Sequence, residues 1–316
     1  MPGDKMTTVE ICLLSVLGIL AFATLLSIFL LKKSPHSETF KKVKVIVKSW
    51  WYIALPVLGA LYLGPLALMA LFYTVTCFGL YEFVKSSRFK DIKWALVGIF
   101  VASTSLQYLA IYLHWNILFY SMIPLIFIFA LPTLVILRKD TTHLPNLTAL
   151  LLGGLLISYY LSHIPAVTHL DLDLWKDQEQ SIMAVLLLIF TTELNDVMQF
   201  IFGKAFGKNK IVPSISPNKT EAGFIGGLLG SIILWSFIGP FFIDVNAEQG
   251  AMIGAFISVV GILGDLMFSA LKRYYGVKDF SDLIPGHGGL LDRLDSLILT
   301  APVFFHLIRL TKVGIL

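Results

Sequence analysis

The sequence predicts an all-α, polytopic membrane protein of about ten spans, and three observations predict it. Hydrophobic residues fill 57% of the 316 positions, while Asp, Glu, Lys and Arg fill only 14%, against about a quarter in soluble domains. Apolar runs of about 20 residues, the length a helix needs to cross a roughly 30 Å hydrocarbon core, recur from end to end. The basic residues fall almost entirely on alternate loops. Mean hydropathy is +0.82, and the runs lack the strict alternation of barrel strands.

The first run, Val9 to Leu31, is too long for a signal peptide, and Asp4 and Glu10 weaken its basic start, so it reads as a retained helix. Nine more follow: Trp50–Leu63, Gly64–Val84, Trp94–Leu113, Ile117–Leu137, Leu147–Val167, Ser181–Phe202, Ala222–Ile243, Ala251–Leu271 and Leu290–Ile308. The second is short, and Leu63-Gly64-Pro65 is its only turn signal, so a re-entrant half-helix stays open there. If all ten cross, loops 32–49, 85–93, 138–146, 203–220 and 272–293 share one side and hold 20 of the 24 Lys and Arg residues. The other side carries Asp171, Asp173, Asp177, Glu179, Asp244 and Glu248. The positive-inside rule then places both termini outside and the basic loops in the cytoplasm.

Most of these charges need no chemistry. Lys32, Lys33, Lys41, Lys42, Lys44 and Lys48 set topology and touch anionic headgroups, and Trp50-Trp51-Tyr52 reads as an interfacial belt. Cys12 and Cys77 lie inside apolar runs and read as small buried hydrophobes. Residues 1–180 therefore read as scaffold, and residues 181–316 as the region that carries the chemistry.

Three polar constellations stand out there. Glu193, Asp196 and Gln199 are spaced i, i+3, i+6 on one helical face beside Asn195, and carboxylates within a membrane usually face a cavity, a partner or an ion. Next come Gly203-Lys204, Gly207-Lys208 and Ser216-Pro217-Asn218-Lys219-Thr220, then Gly223, Gly226, Gly227 and Gly230. Small residues before a helix start, with lysines among them, suit a phosphate. The Walker A spacing is absent, which excludes a P-loop ATPase. A glycine helix-packing face reads equally well and offers a homodimer surface.

The third constellation runs from Ser269 to Asp295. Asp265, Ser269 and Lys272 fall at i, i+4, i+7, and Asp292, Asp295 and Ser296 at i, i+3, i+4. Carboxylates from two adjacent helices at one depth suit a hard cation such as Mg2+. Lys272, Arg273, Lys278 and Arg293 surround them, with Asp279, Asp282 and His287 between. Zinc is not expected, because no Cys and no second His is near.

This stretch resembles the signature of the phosphatidate cytidylyltransferase (CDP-diacylglycerol synthase) family: Ser-x-x-Lys-Arg, four residues, Lys-Asp, then Pro-x-His-Gly-Gly, an apolar residue, x, Asp-Arg, an apolar residue and Asp. Every specified position is met. Upstream, Asn195-Asp196, Gly203-Lys204-Ala205-Phe206-Gly207-Lys208 and Ser216–Thr220 are similar to further blocks of that family, so the resemblance covers roughly residues 190–300. Two departures are Glu221-Ala222-Gly223, where the family often has Trp-Glu-Gly, and Phe200, where it has Tyr.

The resemblance implies transfer of a cytidylyl group from CTP to phosphatidic acid with Mg2+, giving CDP-diacylglycerol and pyrophosphate. It implies Asp265, Asp292 and Asp295 at metal, with a second cation such as K+. Lys219, Lys272, Arg273 and Lys278 would hold triphosphate or lipid phosphate, and His287 a phosphate oxygen. Asn195, Asp196, Lys208, Ser216, Thr220, Ser269, Asp279 and Arg293 complete the expected substrate-binding set. The partners implied are CTP, phosphatidic acid and membrane lipids, with no nucleic acid, and the place is the bacterial inner membrane. A CTP-dependent lipid kinase, a transporter and a non-catalytic lipid binder are the competing readings. The His-Gly-Gly…Asp-Arg pattern argues against the kinase, and the gathering of acids towards one face argues against the transporter.

Overall fold

The structure, a computed structural model, describes residues 6–34, 36–87, 93–138, 144–170, 172–286 and 288–315. Local chemistry sets most of its helix boundaries. Helix α1 (Thr8–Lys33) starts at a reciprocal cap: the Glu10 amide donates to Thr7 Oγ1 and the Thr7 amide to Glu10 Oε2. Helix α2 (Glu38–Leu63) stops at Gly64, whose φ of +99° is open to glycine, and Pro65 occupies the first turn of α3 (Pro65–Ser86). The Leu63-Gly64-Pro65 turn is thus where the sequence placed it. The run before it is longer than the sequence suggested: Val43–Leu63 is long and apolar enough to cross.

Helices α4 (Lys93–Tyr112), α5 (Asn116–Arg138) and α6 (Leu144–Leu155) follow. The expected span Leu147–Val167 is interrupted: a π-turn at Leu156–Tyr160 separates α6 from α7 (His163–His169). A short 3-10 turn (Leu172–Leu174) leads to α8 (Gln178–Phe206), capped by Asp177. Residues Lys210–Val212 (β1) and Ser216–Thr220 (β2) form a small antiparallel hairpin with Lys210 opposite Thr220. The sequence reading put Ser216–Thr220 at the entry to a helix spanning Ala222–Ile243. Pairing with β1 holds this segment extended, and the helix α9 (Glu221–Phe242) begins only after Thr220 caps it. Helix α10 (Ala247–Tyr275) ends at Gly276 in the left-handed conformation. A 3-10 turn (Leu291–Arg293) precedes α11 (Asp295–Lys312).

Seven described helical segments are long and apolar enough to cross a membrane, fewer than the ten expected. Helices α4 and α5 contribute shorter apolar stretches, Leu96–Tyr112 and Asn116–Ala130, and α11 carries Asp295, Arg309 and Lys312 within its 18 residues.

Glycines bring the last four long helices together. A Cβ on Gly223 would lie 2.5 Å from the Gln199 carbonyl oxygen, one on Gly226 2.3 Å from the Phe202 ring, and one on Gly227 2.5 Å from Asn195 Oδ1. Gly230 faces Met198. The glycine face proposed for a homodimer is therefore buried against α8 of the same chain. Gly264 does the same for α10 and α11, since its Cβ would stand 2.5 Å from the Asp295 carbonyl oxygen and 3.2 Å from Ser296 Cα. Both obstacles are backbone, so no rotamer relieves them. Gly264→Ala is expected to force the helices apart and destabilise the protein by about 1–3 kcal/mol, read as a lowered thermal midpoint in detergent. An unchanged midpoint would mean that the approach is loose.

Candidate active site

The signature region is held in shape by two carboxylates. Asp292 is buried, and both its oxygens are taken: Lys272 Nζ lies 2.8 Å from Oδ1, and the Phe280 and Gly289 amides each donate to Oδ2 at 2.9 Å. Gly288 has a φ of +83°, and its Cβ would meet Asp292 Oδ2 at 3.0 Å, so a side chain is strained there on both counts. The second carboxylate is Glu82 on α3, 199 to 209 residues before the loop positions it binds. It accepts the Leu290 amide at 3.1 Å, the Leu291 amide at 3.0 Å and the Ser281 hydroxyl. These amides open the 3-10 turn, so the acid also satisfies that turn's free donors.

Sequence reasoning missed Glu82, having treated the first half as scaffold. The available signal was a lone acid inside an apolar run. Replacing it by Gln keeps the size but removes acceptor capacity, at about 1–3 kcal/mol for a buried donor left unmet. Glu82→Gln is expected to speed limited proteolysis between Asp279 and Leu290. A cleavage rate equal to wild type would show that the loop needs no such fastening.

Beside this loop, four elements converge. Lys219 at the end of β2 reaches Asp265 Oδ2 on α10 at 2.7 Å, and Gln199 Oε1 and Asp196 Oδ1 on α8 at 3.0 and 3.4 Å. Ser269 donates to Asp265 at 3.2 Å, and Ser296 on α11 to Asp196 at 2.9 Å. Asp295 stands between the two lysines: Lys272 Nζ is 3.9 Å from its Oδ2, and its charge also acts on Lys219. Burial alone would lower the Lys219 ammonium, but the Asp196 and Asp265 carboxylates outweigh it and hold the group above the ordinary lysine value. It stays charged throughout the physiological range.

The structure thus gathers Asp196, Lys219, Asp265, Ser269, Lys272, Asp292 and Asp295 from the expected set, and adds Gln199 and Ser296. Arg273, Lys278 and Asp279 are exposed, and Arg273 donates to the Val277 carbonyl. Lys208 is exposed beyond α8, and Ser216 sits on the hairpin. Among the described residues, no hydrogen bond or ion pair joins Lys208, Ser216, Lys278 or Asp279 to the cluster. Asn195 is fully buried between helices, accepting the Ser258 hydroxyl at 2.7 Å, and Thr220 Oγ1 is engaged by the Gly223 amide. His287 lies outside the described residues. Of the two departures, Glu221 accepts a hydrogen bond from Asn209 Nδ2 and so closes the hairpin, and Phe200 is exposed near Lys204.

The arrangement can bind polyanions and a hard cation. Four carboxylates, against Lys219, Lys272 and Arg293, leave the cluster short of positive charge. Among the described residues no three acid, His or Cys groups form a closed metal cage. Mg2+ does not require one, since it is commonly held by one or two carboxylates with substrate phosphates and water. Asp196, Asp265 and Asp295 are partly accessible, whereas Asp292, expected among the metal ligands, is committed to Lys272 and the loop amides.

A profile described as the cytidylyltransferase family matches residues 43–311. The chain belongs to that family. As such it is a nucleotidyltransferase-family protein, and the match takes in both Glu82 and the signature. An uncharacterized protein, YnbB, of Escherichia coli (strain K12) is 36% identical over 302 residues, covering 95% of this chain and 98% of its own. The phosphatidate cytidylyltransferase of Aquifex aeolicus (strain VF5) is 39% identical over 130 residues, which are 41% of this chain and 49% of that protein. The phosphatidate cytidylyltransferase of Staphylococcus aureus (strain COL) is 40% identical over 131 residues, 41% and 50% of the two chains. This cytidylyltransferase-family chain therefore spans about half the length of those enzymes in the matched region, and nearly all of YnbB.

Proposed function

We propose that this protein is an integral-membrane phosphatidate cytidylyltransferase. The observation that carries the reading is the convergence of Lys219 and Lys272 with four aspartates, at one end of the bundle, in a member of this family. A phosphate oxygen of phosphatidic acid attacks the α-phosphorus of CTP. The bond from that phosphorus to the oxygen bridging to the β-phosphate breaks, and pyrophosphate leaves with CDP-diacylglycerol as the other product. The nucleophile is already ionised, so no strong general base is needed.

The work left to the protein is to bring two polyanions together and to stabilise charge on the leaving group. Lys219 and Lys272 stand at the acid cluster to do this, with Arg273 and Lys278 at its exposed edge to draw in the triphosphate. One or two of Asp196, Asp265 and Asp295, together with substrate phosphates and water, would hold Mg2+, with K+ as a candidate second cation, and Asp292 keeps Lys272 and the loop in position. Bound there, the divalent ion would supply charge neutralisation on the phosphate oxygens. The 20 of 24 basic residues on alternate loops support ten crossings with both termini outside and a cytoplasmic site, and chain size and family support a bacterial inner membrane.

The test is transfer of label from cytosine-labelled CTP into the organic phase with purified protein, phosphatidic acid, Mg2+ and K+. Labelled lipid is the expected result. Lipid labelled only from γ-phosphate-labelled CTP would replace this reading with a lipid kinase, and no label from either with a nucleotide-binding protein would replace it with a silent binder.

A further inference from the structure

Beside the signature loop lies a groove of about 530 Å³. Pro56 and Val57 of α2, Leu71 and Val75 of α3, and Leu294 and Leu297 of α11 contribute its apolar walls. The loop itself is the roof: Leu283, Ile284 and Pro285 line the groove, and Ser49 on α2 ties it down by donating to the Pro285 carbonyl at 2.6 Å. Tyr52 and Leu283 also line it and are 60% and 61% exposed, so it opens at the protein surface.

Its ionic residues are Glu193 and Arg293. Arg293 Nε is buried with no hydrogen-bond partner, and among the described residues no ion pair joins Arg293 to Glu193 or to any other acid. A buried Nε–H with no acceptor is costly unless a ligand completes it. The charge of Arg293 acts on Glu193 inside the groove and on Asp295 in the acid cluster, so this side chain links the two spaces. A comparable groove between α1 and α2, about 460 Å³, carries Glu10 and no cation, and has nothing to attract an anionic headgroup.

We propose that the groove beside the signature loop seats one acyl chain of the phosphate-bearing lipid, with Arg293 receiving the lipid phosphate at its inner end. The inference rests on the cytidylyltransferase reading for the identity of that lipid, and on the groove's own chemistry for its place. An apolar trough suits a hydrocarbon tail. The first half of the chain thereby becomes the part that selects acyl chains, through α2 and α3.

The experiment uses the full chain in detergent with a phosphatidic acid carrying a diazirine on one acyl chain, and a diacylglycerol carrying the same chain. Crosslinks are located by mass spectrometry on wild-type protein, so no variant has to fold for the first result. They are expected within 52–57, 71–75 and 294–297. Val75→Trp, which fills the trough, is expected to reduce them at least tenfold. Arg293→Gln is expected to bring the phosphatidic acid probe down to the level of the diacylglycerol probe while leaving the latter unchanged. Crosslinks spread over the outer helix faces or centred on the α1–α2 groove would overturn the proposal, as would an Arg293 variant that affects both probes equally. Cytidylyl transfer is assayed separately. Groove crosslinks without transfer would retain the lipid site and remove the enzyme reading, whereas transfer with crosslinks elsewhere would do the reverse.

Discussion

Asp265→Asn is expected to lower cytidylyl transfer by about 10²–10³-fold, the range seen when one fixed electrostatic contact to a transition state is removed. Asn matches the size of the carboxylate and can still accept from Ser269, so packing at the α10–α11 contact is kept. What it removes is the charge that Lys219 meets at 2.7 Å and that, in our reading, shares the divalent ion. The measurement is label transfer at saturating CTP and lipid across a Mg2+ titration. A variant that recovers wild-type turnover at high Mg2+ has lost metal affinity only, which fits the assignment. Wild-type turnover at every Mg2+ concentration would remove Asp265 from the site.

Lys219→Met carries the second large effect, and its sign is diagnostic. In the structure the ammonium of Lys219 sits among oxygens of Asp265, Asp196 and Gln199, the position a cation would take. Removing it frees two carboxylates, so nucleotide-free protein is expected to bind Mn2+, used as a paramagnetic substitute for Mg2+, about tenfold more tightly, or about 1.4 kcal/mol. The same variant is expected to transfer less cytidylyl group, because the triphosphate loses a cation. Electron paramagnetic resonance of free Mn2+ reads the first effect without turnover. Unchanged or weaker Mn2+ binding would mean that lysine and metal do not compete for these acids.

Local patterns carried much of this architecture. The Asp265, Ser269 and Lys272 face was readable because helical spacing alone aligns them, and the Leu63-Gly64-Pro65 stop because both residues act on their own backbone. Asp196 with Gln199 was readable for the same reason, but their meeting with Lys219 was not, since a two-stranded hairpin delivers that lysine and three residues of β1 give no periodic signal. The glycines before and within α9 read equally well as a phosphate cradle or a packing face. Only the position of α8 decides for packing, and it does so within one chain. Asp292 looked like a metal ligand because its type and spacing allow it. Its commitment to two loop amides depends on how residues 276–291 fold back, which no local pattern encodes. Among the described residues, seven of the ten apolar runs meet the length and hydropathy of a crossing. Helices α4 and α5 hold shorter apolar stretches and α11 carries three charges, whereas the π-turn at Leu156–Tyr160 leaves Leu144–His169 long and apolar enough.

The fastening of the signature loop by Glu82 has a consequence for biogenesis. A ribosome makes this acid long before it makes its partners: Leu290 and Leu291 emerge 208 and 209 residues later. During that interval the α3 segment is in the membrane with a carboxylate that has no native donor, at the end of the helix where water or headgroups can still reach it. The last long loop to be synthesised then closes onto an acceptor made some two hundred residues earlier. Chains truncated before Leu290 are therefore expected to keep this acid without its two amide donors.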